Sequence, residues 1–349
     1  MNLTTNGRIT LKDIAERCGY TANTVSRALR NDQKLPENTR VTIQRLAREM
    51  GYVPNSSARA LRYGSSRTIA VIVNDINNPY YSNMLSQIDQ LLKERDYHTM
   101  ILCTQLDEEL ADTMIHLAVS QSVNGILFFP FNNARHIREL HASGIPFVLM
   151  DRWIPGVEAD IARIDDFRGG YALTQHLLEQ GHRRLLYMAG PFVNSSQIDR
   201  QNGIVQALKD AGLEIEQHLR VIPWKDVPSE PAPEDIVQLL KPFDYTGIIA
   251  FNDVLAYHAL NALNTVGLHV PEDISLAGFD HIRWRNTYLP PLTSIAADGK
   301  GVASAAIELL FGRIDQPDLP FRHHILPVRI HLDGTTREAS SAFTEGQER

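Results

Sequence analysis

Through most of this chain, short apolar runs alternate with helix-length amphipathic segments, and that alternation limits the fold more than any other feature. Ile69-Ala-Val-Ile-Val73, His98-Thr-Met-Ile-Leu102, Gly125-Ile-Leu-Phe-Phe129 and Phe147-Val-Leu-Met150 read as strands. The intervening segments, about 12 to 16 residues each, read as helices. A second series begins near Phe167, with Arg184 to Ala189, Gly247 to Phe251 and Ile274 to Gly278 as its strands. A strand that returns to its sheet through a helix lies parallel to the one before, and the crossover helices cover both faces. Two such series in tandem predict two doubly wound lobes whose strand C-termini face a shared cleft.

The first sixty residues follow another rule. Residues 1–62 carry 11 Lys/Arg against 5 Asp/Glu, a charge of +6; of the chain's 34 and 41 this leaves 23 against 36, or −13. An acidic body repels nucleic acid, so a basic head on it points to phosphate contact. Leu11, Ile14, Ala15 and Cys18 recur at helical spacing, and Gly19 supplies the positive φ of a tight turn. Thr21 N-caps a second helix, Ala22 to Leu29, with Val25, Ala28 and Leu29 facing inward. A third, from about Pro36 to Met50, offers Val41, Ile43, Leu46, Ala47 and Met50 for burial; Pro36 suits its first turn and Gly51 closes it.

Three short helices with a glycine turn between the first two describe a helix-turn-helix. Its second helix enters the major groove N-terminus first, which directs Ala22, Asn23 and Arg27 toward the bases. Arg pairs with guanine O6/N7, Asn with adenine N6/N7, and an alanine methyl can touch thymine. Thr10, Thr21, Ser26, Arg30, Thr39 and Tyr52 are candidate phosphate contacts, which set register without reading sequence.

In a doubly wound lobe, ligands bind just beyond the strand ends. Asp75, Asp151, Asn252, Asp253 and Asp280 stand there, each polar after an apolar run, and Arg200 follows the Ala189-Gly-Pro-Phe192 turn. Carboxylates, an amide and a guanidinium around hydroxyls, with Trp224 or the Tyr80-Tyr81 pair stacked on a ring, suit a carbohydrate. Asp253 has an equally plain reading as a helix cap, and Asp151 and Asp280 as turn residues.

Other chemistries find little support. The two cysteines, Cys18 and Cys103, make no CxxC pair, so neither a disulfide framework nor a zinc site is expected. Met1 to Asp13 holds no apolar signal core, and no apolar run approaches the roughly 18 residues a bilayer demands. A cytoplasmic protein without membrane attachment is expected. There is no phosphate loop, strand-borne GxGxxG, HExxH or GxSxG, so no enzyme activity and no cofactor are expected. His323 and His324 are adjacent on a strand, point to opposite faces and cannot share a metal ion.

Thr10-Leu-Lys-Asp-Ile-Ala-Glu-Arg-Cys-Gly-Tyr-Thr-Ala-Asn-Thr-Val-Ser-Arg-Ala-Leu29, followed by Gly51-Tyr-Val-Pro-Asn55, resembles the signature of the lac/gal repressor (LacI/GalR) family of transcription regulators. The resemblance continues along nearly the whole chain. It implies an all-α helix-turn-helix domain at 8–53, a hinge helix or linker at 54–67, and a two-lobed periplasmic-binding-protein-like α/β body at 68–340. Lobe 1 would take about 68–165 and 298–326, lobe 2 about 166–290 and 327–340, with three crossings between them and a tail at 341–349. In the family the hinge helices pair on DNA. Ala58 would allow their close approach, Leu61 would wedge into the minor groove, and Asn55 would join the DNA-binding set. Met150-Asp151, Ala189-Gly-Pro191 with Ser196 and Arg200, Asn252-Asp253 and Gly278-Phe-Asp280 fall on the family's effector positions. Arg30 and Pro36 depart from the usual Asn and Ser/Thr.

The reading is therefore a homodimeric repressor on a palindromic DNA operator, controlled by a small-molecule effector; a sugar or sugar derivative is expected, although the resembling family also includes members that bind purines or other small metabolites. A periplasmic sugar-binding protein would share the body but has no use for a basic helix-turn-helix. A sugar-modifying enzyme would need a catalytic constellation that the sequence lacks.

Overall fold

The computed structural model describes residues 9–52, 66–190, 194–223, 232–283, 290–297 and 301–339. The chain forms two compact units, Met1–Ser66 and Arg67–Arg349.

The first unit holds α1 (Leu11–Cys18), α2 (Ala22–Leu29) and α3 (Glu37–Glu49). Thr10 and Asp13 start α1 with a reciprocal capping box: the Thr10 backbone N–H donates to the Asp13 carboxylate (2.7 Å) and the Asp13 N–H to the Thr10 hydroxyl (3.3 Å). Gly19, at φ +73°, ends α1 in the left-handed region. Thr21 starts α2 by accepting from the Thr24 N–H at 3.1 Å. Ile14, Ala15, Val25, Ala28, Ile43 and Ala47 form the buried core, with Leu11, Cys18, Leu29, Leu46, Met50 and Tyr52 packed around it. Two expectations need correction. Val41 is 54% exposed; at about 100° per residue it points some 200° away from Ile43. Pro36 is the N-cap residue rather than part of the first turn, so α3 begins at Glu37.

The second unit contains two six-stranded sheets. The first is built from β1 (Thr68–Val73), β2 (His98–Cys103), β3 (Gly125–Phe128), β4 (Phe147–Met150) and β5 (Asp160–Ile164). The helices α4 (Pro79–Lys93), α5 (Glu108–Ser120) and α6 (Ala134–Ser143) lie between these strands. The second sheet receives β6 (Leu185–Ala189), β7 (Leu219–Pro223), β8 (Gly247–Ala250), β9 (Ser275–Phe279) and β10 (Thr293–Ala297). Its helices are α7 (Asp166–Glu179), α8 (Ser195–Asp210), the one-turn α9 (Ile215–His218), α10 (Pro233–Leu240) and α11 (Asp253–Thr265). Last come α12 (Gly301–Asp315), β11 (His323–Leu326) and β12 (Val328–His331).

Strand order is β11-β5-β4-β3-β1-β2 in the first sheet and β12-β10-β9-β8-β6-β7 in the second. All pairs are parallel except β12 with β10. The chain passes between the sheets after β5, after β10 and after β11. Each sheet is covered on both faces. In lobe 1, α4 and α12 bury Ile69, Val71 and Val73, while α5 and α6 bury Ala70 and Ile72. That is why β1 reads as an unbroken apolar run. In lobe 2, α10 and α11 cover one face, and α7 and α8 the other. β5, β7 and β10 had no counterpart in the sequence alternation. β5 carries Asp160 and Arg163 among its five residues, and β7 is an edge strand with Val221 exposed.

Candidate functional site

The head presents a polar surface along α2. Ala22 and Asn23 stand exposed at its start, Ser26 is half-buried, and Arg27 is about a third exposed. Thr10 and Thr21 are exposed, and their hydroxyls already serve as helix caps. Arg30 caps the end of α2, with its Nε donating to the Ser26 carbonyl at 3.0 Å. Thr39 and Tyr52 are half-buried, Tyr52 against the core. Asn55, Ala58 and Leu61 lie outside the described residues, as does Trp224 of the body.

In the body, strand ends from both lobes converge as doubly wound sheets require. Lobe 1 contributes Tyr80 and Tyr81 from the first turn of α4, then Asp151 and Arg152 from the end of β4. Lobe 2 contributes Asp166 at the start of α7, Ser196 and Arg200 from α8, Phe251 and Asn252 after β8, and Asp280 after β9. With Asn78 and Ile164 they line one cleft between the lobes, the kind of place where doubly wound domains take a small molecule. Of the ten cleft residues expected from sequence, the structure brings seven together.

Asp75 and Asp253 are not among the lining residues. Asp75 turns back to accept from the Asn77 N–H at 2.8 Å. Asp253 is buried and fastens the loop beyond β9, accepting from the Ile282 N–H and the Ser294 hydroxyl, both at 2.8 Å. It does not cap α11; Asn252 does, accepting from the Leu255 N–H at 3.0 Å. Arg152 and Asp166 were missed. Arg152 follows Asp151 directly, and Asp166 follows β5, so recognising that strand would have drawn attention to it.

Arg200 is the electrostatic centre of the site. Its side chain is 7% exposed, and its Nε donates to Asp166, itself 1% exposed, at 2.7 Å. Nη1 donates to the Phe251 carbonyl. The guanidinium carbon lies 4.1 Å from the Phe279 ring centre and 4.7 Å from that of Phe251. Burial opposes its charge, but Asp166 and Asp280 outweigh that cost and raise its pKa. The helices carrying this pair pack backbone to backbone. A Cβ on Gly170 would stand 2.1 Å from the Arg200 carbonyl oxygen, and one on Gly203 2.1 Å from that of Phe167.

Asp151 and Asp280 take left-handed backbone, at φ +64° and +97°, a region that L-residues rarely adopt. The two crossover strands hold them there. The Asp151 N–H donates to Ala162 of β5 at 2.9 Å, and the Asp280 N–H to Ile295 of β10 at 2.8 Å. Burial pushes the Asp151 carboxyl up to about 7, against the Tyr80 hydroxyl that donates to it at 2.7 Å and the nearby Arg152. Burial likewise pushes Asp280 up to about 6, against the pull of Arg200. A ligand hydroxyl donating to either carboxylate would favour its ionised form.

The lobes also touch beside the cavity. The Trp153 N–H donates to the Ser195 hydroxyl at 2.9 Å, and the Trp153 indole N–H to Asp199 at 3.1 Å. Arg163 meets the same carboxylate at 3.2 Å, and the Ser196 hydroxyl donates to the Asp151 carbonyl at 3.2 Å. Among the described residues no three of His, Cys, Asp or Glu are placed to hold a metal, and no helix is long and apolar enough to cross a membrane.

A basic helix-turn-helix and a two-lobed binding body on one chain define a class, the ligand-responsive DNA-binding regulators. Residues 10–55 match the model for bacterial regulatory proteins of the lacI family, and residues 174–336 that for a periplasmic binding protein-like domain. The HTH-type transcriptional regulator DegA of Bacillus subtilis is 31% identical over 293 residues, 83% of this chain and 86% of its own. The HTH-type transcriptional repressor CytR of Escherichia coli is 30% identical over 334 residues, 94% of this chain and 96% of its own. Among solved structures, a LacI family transcriptional regulator from Enterococcus faecium with bound ribose matches at a TM-score of 0.69 and 28% identity. That match covers 78% of this chain and all of the other. The chain belongs to the lacI family of bacterial regulatory proteins.

Proposed function

We propose that this protein is a cytoplasmic transcription repressor whose hold on DNA is set by a small molecule bound between the lobes. Two heads of a homodimer would engage the half-sites of a palindromic operator, with α2 in the major groove and Ala22, Asn23 and Arg27 toward the bases. The effector is a sugar or sugar derivative, ringed by Asp151, Arg200, Asn252 and Asp280 and stacked on Tyr80 or Tyr81. The protein acts by binding and not by catalysis. One observation carries this reading above the rest: in a chain with a DNA-binding head, the cleft holds a buried Arg200–Asp166 pair beside Asp280, which accepts no side-chain hydrogen bond from the described residues. Such a carboxylate is prepared for a ligand's hydroxyl donors. Relatives point the same way, since CytR is a repressor and the Enterococcus faecium regulator was solved with ribose.

Thermal shift against sugars, sugar acids, sugar phosphates and nucleobases tests the cleft. A true ligand stabilises by about RT ln(1 + [L]/Kd), and its effect disappears in Asp280→Ala and Arg200→Ala. A hit indifferent to both substitutions would place the ligand elsewhere.

A further inference from the structure

α2 ends beside an acidic residue that the DNA-binding reading leaves without a task. Asp32 lies just past the helix, in a head otherwise rich in Lys and Arg, and its carboxylate Oδ2 meets the Arg27 Nε at 2.8 Å. Asp32 is itself fixed. Its Oδ1 accepts from the Lys34 N–H at 2.9 Å, and its own N–H donates to the Arg27 carbonyl at 3.1 Å. The Arg27 ion pair, helped by the Lys34 N–H, holds the carboxyl below its usual range. A negative charge next to a base-reading residue weakens the attraction to phosphate, so it is a liability for simple DNA affinity.

We infer that Asp32 is a positioning residue that holds the Arg27 guanidinium by Nε and leaves Nη1 and Nη2 to face guanine. Bidentate recognition of O6 and N7 uses two parallel N–H donors at the end of the guanidinium. A carboxylate on Nε fixes the plane of the group without occupying those donors. The arginine then arrives at the groove with less rotamer freedom to lose, and a misdirected contact to a phosphate or a neighbouring base is disfavoured. Asp32 thereby lowers affinity for DNA in general while sharpening the choice at one base pair per half-site.

This rests on α2 being the base-reading helix, and the test separates the two claims. The full chain selects its preferred duplex from a randomised library. Arg27→Gln, Asp32→Asn and Asp32→Ala are then titrated on that duplex, on single-mismatch versions and on unrelated DNA, at salt low enough to keep all of them bound. Asp32→Asn is the informative variant: its side-chain oxygen can still accept from the Lys34 N–H, so the turn survives while the ion pair is lost. Expected is a loss of about tenfold in discrimination at the base pair that Arg27→Gln relaxes. Both Asp32 variants should lose it there alone, and both should bind unrelated DNA more tightly than the parent. Full discrimination retained by Asp32→Asn would overturn the proposal and reduce Asp32 to a turn residue. If Arg27→Gln relaxes no base pair, the orientation of α2 is wrong and the proposal falls with it.

Discussion

Burial holds the carboxyls of Asp151 and Asp280 up to about 7 and about 6, against an unperturbed 3.8. A raised carboxyl pKa means that the folded state prefers the protonated form. The stability it confers is complete below about pH 4 and is lost as pH rises through the folded value. In the ligand-free protein, Asp280→Asn should therefore gain in Tm relative to the parent between about pH 4 and 6, with a constant difference above pH 7. A difference independent of pH would remove Asp280 from the buried cleft. The Arg200–Asp166 pair makes a second prediction. Both side chains are less than a tenth exposed, so Asp166→Ala strands a buried guanidinium and should cost about 3–5 kcal/mol in urea unfolding of the body. A cost below about 1 kcal/mol would mean that Arg200 finds solvent once its partner is removed.

At the scale of elements, the close pairing of α7 and α8 places Arg200. Gly170→Ala pushes a methyl against the Arg200 carbonyl, and overpacking of this kind costs about 1–3 kcal/mol or more. The substitution should weaken effector binding together with stability, whereas Lys209→Ala in the exposed last turn of α8 leaves binding unchanged. Asp199 joins α8 of lobe 2 to Trp153 and Arg163 of lobe 1. Asp199→Ala should shift the lobes toward separation, seen as a larger radius of gyration and a weaker effector; an unchanged radius would show the latch to be idle. These elements differ in how legible they were in the sequence. Strands such as β1, β3 and β9 announce themselves because both faces are covered and, past Thr68 and Ser275 at the starts of β1 and β9, no position is polar. β5 does not, because the charged Asp160 and Arg163 break up its five residues. Without β5, the strand-end rule passed over Asp166. The same rule brought in Asp75 and Asp253, since it locates a residue beyond a strand but cannot say which way its carboxylate turns. Val41 is a case of the same kind on a helix, where apolar identity stood in for direction.

At the scale of the whole molecule, one chain would join two binding events: base reading by the head and effector capture between the lobes. Neither alone makes a regulator, since a ligand that binds both conformations equally shifts nothing. The coupling is also reciprocal, so whatever factor the effector applies to DNA affinity, DNA must apply to effector affinity. The most direct test is the affinity of the full chain for its selected duplex, measured at fixed salt with and without the ligand found by thermal shift, in the parent and in Asp280→Asn. The account predicts a change of about 5- to 150-fold in the parent, the same factor when effector affinity is measured with and without the duplex, and its loss in Asp280→Asn. Identical DNA affinity at zero and at saturating ligand would contradict it, leaving a DNA-binding head and a ligand-binding body that do not communicate.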